Sequence, residues 1–196
     1  MPPVIAGYND DITGYAYDPE KAKALLKEAG YDGKEIELWA MPVPRPYMPD
    51  GQKIAEAIQK NLADVGIPSK IVSFEWATYL EKAQNGEADA FLMGWTGDNG
   101  DADNFIYTLL DADNIGSNNY TFYDNPELHK LLVAAQTEVN EDKRNELYKQ
   151  AQVIISEDAP WVPLAHSIPI LAASTKVTNY FAHPTGSDRL EAVDMN

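Results

Sequence analysis

Apolar positions in the first half of the chain switch repeatedly between a helical and an alternating period. Asp18-Pro19-Glu20 opens a helix: the aspartate caps free amides, the proline suits the first turn, and the glutamate suits the positive end of the dipole. Ala22, Leu25, Leu26 and Ala29 follow on one face, and Gly30 is the stop. Ile36 to Ala40 is short and alternating, which predicts a strand. Ile54, Ile58, Leu62 and Val65 form the stripe of a second helix that ends at Gly66. Lys70 to Phe74 reads as a second strand. Trp76 to Gln84 reads as a short helix closed near Asn85-Gly86. Ala90 to Gly94 is a third strand whose apolarity predicts a central place.

The second half is more helical. Phe105 to Leu110 is a helical fragment. Asn125-Pro126-Glu127 opens a helix running to about Glu138. Asn140 to about Glu157 is amphipathic, with Leu147, Ala151, Ile154 and Ile155 on one face. Trp161 to Ala165 and Ile168 to Ala172 read as strands, and the tail from Lys176 as irregular with short strands. Residues 1–17 form a lead-in rich in Gly, Asp, Asn and Tyr. The expected fold is an α/β lobe with a mixed central sheet flanked by helices. In such folds ligands sit at loops beyond the carboxyl ends of strands. Met41 to Pro49 and Trp95 to Asp103 are the two loops that qualify.

Composition narrows the classes of function. An apolar fraction of 44% in 196 residues supports one domain with a real core. Fifteen Lys and Arg against 31 Asp and Glu leave a formal charge of −16, which repels phosphate and argues against nucleic acid. No run of 18 apolar residues suggests a membrane span. With no cysteine, disulfides, thiol catalysis and thiolate metal sites are excluded. Met1-Pro2-Pro3 does not begin a signal peptide.

Catalytic templates are not met. There is no G-x-S-x-G elbow, Walker loop or G-x-G-x-x-G. His129, His166 and His183 are scattered, without H-x-x-x-H spacing. The run Asp98 to Asp103 fails as an EF-hand loop: counted from Asp98, Gly100 and Asp103 fall in the wrong slots, and Leu109 occupies the bidentate Glu position. A turn capped by short acidic side chains accounts for it. No cofactor or metal is expected. A small hydrolase pairing Asp98 with Asp101 or Asp103 lacks a further acid–base partner.

Arg45 lies within Pro44-Arg45-Pro46-Tyr47, on a segment with prolines at 42, 44, 46 and 49. Its stiff backbone pre-organises a guanidinium for bidentate capture of a carboxylate, though a surface or ion-paired arginine fits the pattern as well. Asp98 follows the third strand beside Trp95, where it can accept from an ammonium group or simply form a turn. If both loops face one cleft, a fixed cation and a fixed anion could hold the two ends of a zwitterion roughly 5–7 Å long. Tyr47 and Trp95 would pack against its body.

Four stretches carry a family resemblance: Tyr17 to Gly30 (YDPEKAKALLKEAG), Met41 to Tyr47 (MPVPRPY), Met93 to Asp101 (MGWTGDNGD) and Glu146 to Gln152 (ELYKQAQ). The chain resembles the dipeptide-binding proteins of bacterial ABC importers, within the wider family of oligopeptide- and nickel-binding receptors. The match extends over the whole chain and corresponds to the carboxy-terminal lobe of longer, two-lobed receptors. The resemblance implies a non-enzymatic transport role, with Asp98 on the peptide's α-amino group, Arg45 on its α-carboxylate, and Tyr47 and Trp95 beside them. It implies a lead-in at 1–17, a ligand-binding lobe at 18–167, and a segment at 168–196 that packs on the amino-terminal lobe. Further implications are a periplasmic or extracytoplasmic location and docking of the whole receptor on a membrane permease. Haem, glutathione or a longer peptide is the alternative ligand within the family. Without the other lobe, Ile168, Ile170 and Leu171 become a candidate dimer surface.

Overall fold

Two βαβ crossovers build the half of the molecule that matters for ligand chemistry. In the computed structural model, which describes residues 1–168, 170–183 and 185–196, helix α1 (Pro19–Glu28) is followed by β1 (Ile36–Trp39), α2 (Gly51–Asp64), β2 (Ser69–Val72), α3 (Trp76–Gln84) and β3 (Ala90–Phe91). Asp18 accepts from the Lys21 amide at 2.9 Å and Asp50 from the Lys53 amide at 3.1 Å, so both α1 and α2 start on the side-chain caps that their sequences supply. Glu75 caps α3 by accepting from Ala77 and Thr78.

The three strands are parallel in the order β2-β1-β3. Ile36 to Trp39 pair with Ser69 to Val72 on one side, and Leu38 and Trp39 pair with Ala90 and Phe91 on the other. β1 is therefore the central strand and β3 lies at the sheet's edge, the reverse of the expectation from β3's apolarity. Tertiary cover explains it: Phe91 packs edge-on against Tyr120, so a loop rather than another strand shields β3. Alternation along β1 supplies both layers. Leu38 faces a core with Ala55, Ile54 and Ile58 of α2, whereas Trp39 faces a core with Tyr79 and Ala83 of α3. Helices thus cover opposite faces of the sheet, as crossovers of one hand running in opposite directions require.

The second half packs around α4 (Tyr107–Leu110), α5 (Pro126–Thr137) and α6 (Glu141–Asp158). Leu128, Leu132, Ala135, Tyr148 and Ala151 are buried together with Ala102, Ile106 and Leu110. Asn125 and Asn140 cap α5 and α6 as expected. The lead-in is not loose: the Asn9 amide donates to Gln152 Oε1 at 3.2 Å, and Gln152 Nε2 donates to the Gly7 carbonyl at 2.7 Å.

Antiparallel strands form a separate ribbon of β4 (Val177–Thr178) and β5 (Asp194–Met195). The strand expected at Trp161 to Ala165 does not form, because among the described residues nothing pairs with these residues in a ladder. Of the strand expected at Ile168 to Ala172, Pro169 lies outside the described residues, and Ile168 and Ile170 to Ala172 carry no strand. Among the described residues no helix is long and apolar enough to cross a membrane.

Candidate functional site

The sheet order 2-1-3 places a topological switch point between β1 and β3. There the connections leave the carboxyl ends of adjacent strands toward opposite faces and open a crevice. The two loops singled out from the sequence are the ones that leave these strand ends. Beneath them the strands are tied together. The Leu92 amide donates to the Trp39 carbonyl at 3.0 Å. The buried Tyr79 hydroxyl reaches the Leu92 carbonyl at 2.7 Å and the Trp39 carbonyl at 3.3 Å. Burial pushes the Tyr79 phenol well above its ordinary pKa, so it stays a neutral donor between the strand ends.

The loop after β1 is clamped at both ends. A Cβ on Gly51 would overlap the Met41 carbonyl oxygen, so the start of α2 presses directly on the loop's root. Further along, Arg45-Pro46-Tyr47-Met48 forms a tight turn, with the Arg45 amide donating to the Met48 carbonyl at 3.0 Å and the Met48 amide returning to Arg45 at 2.9 Å. Pro46 holds the second turn position at its preferred φ, and Met48 anchors the turn in the core. The Arg45 guanidinium lies over the Trp76 ring, 5.6 Å from its centroid, and Trp76 stacks on Tyr79 at 5.7 Å. This leaves the charge exposed and its direction set.

The loop after β3 is pinned by one side chain. Asn104 Oδ1 accepts from Trp95 Nε1 at 2.9 Å and from the Asp98 amide at 3.2 Å. The Phe105 ring sits against Gly97, where a Cβ would fall 2.5 Å from Cζ. Asp101 then turns away from the crevice into a bidentate pair with Arg144, both contacts at 2.8 Å. The Arg144 hydrogen bonds hold the Asp101 carboxyl below the usual carboxylate range. Asp101 and Asp103 cap and brace the following 3-10 turn, Asp103 accepting from Gln136 at 3.0 Å.

The two loops meet through one contact. The Tyr47 ring lies flat against Gly94, so closely that a Cβ there would overlap Cδ2 and Cε2. Tyr47 is thus joined to the β3 loop, Arg45 sits over Trp76 from the β2 side, and Trp95 and Asp98 share Asn104. Among the described residues neither Arg45 nor Asp98 forms an ion pair, with each other or with any other group. The arrangement can present one exposed cation and one exposed anion on neighbouring loops, the cation resting on the Trp76 ring.

Trp76, Gly94 and Asn104 escaped sequence reasoning. Gly94 had a signal, a glycine ending an apolar strand; Trp76 and Asn104 had none. A second missed cluster lies elsewhere: Asp111, Asp113 and His129 bring ligand atoms within 4.8 Å of one another. Its groups are engaged internally. His129 Nδ1 is 3.1 Å from both Asp111 carboxylate oxygens, Asp111 accepts the Asp113 amide at 2.9 Å, and Asp113 accepts from the Tyr107 hydroxyl at 3.1 Å. A concavity of about 360 Å³ between the lead-in and α6 is bordered by Tyr8, Asp10, Asn145 and Lys149, and none of its lining residues belongs to the two loops.

Residues 1–117 match the family described as bacterial extracellular solute-binding proteins, family 5 Middle. The chain is 47% identical over 198 residues to a dipeptide-binding protein of Escherichia coli (strain K12), covering 100% of this chain and 37% of that protein. It is 44% identical over 197 residues to heme-binding protein A of Haemophilus influenzae, covering 100% of this chain and 36% of that one. Among solved structures it is similar to a dipeptide-binding protein from Pseudoalteromonas sp. SM9913 in complex with Met-Leu. The TM-score is 0.87 at 33% identity, over 100% of this chain and 39% of the other. The chain therefore spans well under half the length of the relatives it matches.

Proposed function

Because the chain belongs to family 5 of the bacterial extracellular solute-binding proteins, we propose that it is the carboxy-terminal lobe of a dipeptide receptor serving a bacterial ABC importer. The observation that carries this reading is the Tyr47–Gly94 contact at the switch point, which joins the Arg45 loop to the Asp98 loop. Arg45 takes the peptide's α-carboxylate and Asp98 its α-amino group, while Tyr47 and Trp95 pack on the backbone between them. The electrostatics support this polarity: a guanidinium resting on an indole keeps its donors available, and an exposed carboxylate without a cationic partner is ready for an ammonium.

No group here is assigned to catalysis; the lobe orients and holds its ligand. In the whole receptor a second lobe would close over the peptide by hinge motion, and residues 168–196 would pack on that lobe. The complete protein would act outside the cytoplasmic membrane, in the periplasm, and dock on the permease.

The test is a ¹H–¹⁵N titration of the chain with Ala-Ala at about millimolar concentration. Shifts are expected at residues 45–47 and 95–98. They should be lost with N-acetyl-Ala-Ala, which lacks the ammonium, and with Ala-Ala-amide, which lacks the carboxylate. Equal responses to the free and capped peptides would sink the reading. A second reading, haem capture, is supported by the 44% identity to heme-binding protein A. A haem absorbance band that shifts on adding the chain, with no dipeptide response, would favour it instead.

A further inference from the structure

Gly94 is not required by backbone conformation. It has no left-handed φ, unlike Gly30, Gly66 and Gly100. Space is what demands it: the Tyr47 ring occupies the volume a side chain would fill. The contact also joins the two anchor-bearing loops directly. On one side, Arg45 is two residues from Tyr47 in a turn closed by two hydrogen bonds. On the other, Asp98 is four residues from Gly94 in a loop held by Asn104 and by the Phe105 ring against Gly97. Each anchor is therefore rigidly tied to one half of this contact.

We propose that the Tyr47–Gly94 contact is the length gauge of the site: it sets the distance between the Arg45 guanidinium and the Asp98 carboxylate, and so selects dipeptides over tripeptides. This inference rests on the dipeptide reading above. An extended peptide grows by about 3.5 Å per residue, so a tripeptide bridging both anchors must bow out of the crevice or release one end. A rigid separation converts that mismatch into discrimination, whereas loops free to slide would accept either length. A side chain at residue 94 moves the Tyr47 ring outward, carries the Arg45 turn with it, and widens the gap. A Cβ at residue 94 would fall 2.3 Å from Tyr47 Cδ2 and 2.4 Å from Cε2, so the ring must shift to admit it.

The experiment compares Ala-Ala with Ala-Ala-Ala on the wild-type chain, Gly94→Ala and Tyr47→Leu, by the same ¹H–¹⁵N titration, with N-acetyl-Ala-Ala as control. Wild type is expected to favour the dipeptide, and Gly94→Ala to reduce that preference by about tenfold or invert it. Tyr47→Leu removes the ring without any clash and is expected to erode the same ratio, so the gauge stays testable if Gly94→Ala does not fold. A variant that weakens both peptides equally has merely lost a packing contact. If the wild-type preference survives unchanged in the variants that fold, or if wild type shows no preference, the gauge is overturned while the end-anchor reading stands. If N-acetyl-Ala-Ala binds like Ala-Ala, the end-anchor reading fails first and the gauge falls with it.

Discussion

Arg45 keeps its charge without a counter-ion because an indole face, not a carboxylate, holds it in place. A cation–π contact at an exposed site is worth about 0.5–1 kcal/mol, enough to orient the group without neutralising it. Trp76→Leu should therefore weaken Ala-Ala binding by about two- to fivefold, and Trp76→Phe should recover most of the loss. A Trp76→Leu variant that binds Ala-Ala as tightly as wild type in the same titration would show that the indole does not orient Arg45 for the ligand. A different residue-scale device is the His129–Asp111 pair. Asp111 is fully buried and its carboxylate raises the pKa of the half-buried His129, with Asp113 and Asp124 adding to the effect. A folded-state pKa above the unfolded value of 6.5 contributes stability that is complete below 6.5 and fades as pH rises through the folded value. Melting wild type and His129→Leu at about pH 5.5 and about pH 8.5 should show the larger gap at the lower pH. A gap that grows with pH would contradict this sign.

At the scale of elements, the loop after β3 is coupled to the α5–α6 hairpin by Arg144. Besides the bidentate pair with Asp101, its Nε donates to the Ala135 carbonyl at 3.0 Å, and an NH2 donates to the Tyr148 hydroxyl at 2.9 Å. Arg144→Met keeps much of the stem packing but leaves Asp101 unpaired. Both groups are about a quarter to a third exposed, so solvent screening reduces the expected cost to about 1–2 kcal/mol at neutral pH. The Asp101 pKa is depressed in the fold, so its stabilisation is present above the ordinary carboxylate value of 3.8 and lost as pH falls through the folded value. Urea denaturation of wild type and Arg144→Met should thus converge in acid; a difference that persists unchanged at low pH would place the energy in packing instead. None of this coupling was legible in the chain, because Asp101 and Arg144 are 43 residues apart with no spacing signature. The caps were legible, since Asp18, Asn125 and Asn140 act within three residues of themselves. So were the positions of the loops after β1 and β3, whose prolines and glycines punctuate those strand ends. Sheet order was not: the centrality of β1 depends on which strands β2 and β3 choose, and β3's apolarity reflects cover by Tyr120.

At the scale of the molecule, unpartnered surface links the failed strand to the weak binding expected of the proposed site. Trp161 to Ala165 has the residue pattern of a strand, but a strand requires a ladder, and no other part of the described chain offers one. Beyond it, Ile168 and Ile170 are 87% and 91% exposed, and Leu171 is partly so. A large aliphatic side chain left in water forgoes about 1.5–3 kcal/mol of burial, so this segment has a strong incentive to find cover. Self-association is the route open to the isolated chain, and sedimentation velocity should show a concentration-dependent dimer that Ile168→Ser with Ile170→Ser abolishes. A clean monomer at high concentration would remove the tail as an interface. The proposed peptide site shares this exposure. One face of a crevice retains the orienting charges but neither excludes water nor surrounds the ligand, and ion pairs in high dielectric are worth little. Calorimetry with Ala-Ala on this chain should accordingly find no submicromolar affinity. If it did, the switch-point crevice would be a complete binding site by itself, and a closing second lobe would be unnecessary to the energetics.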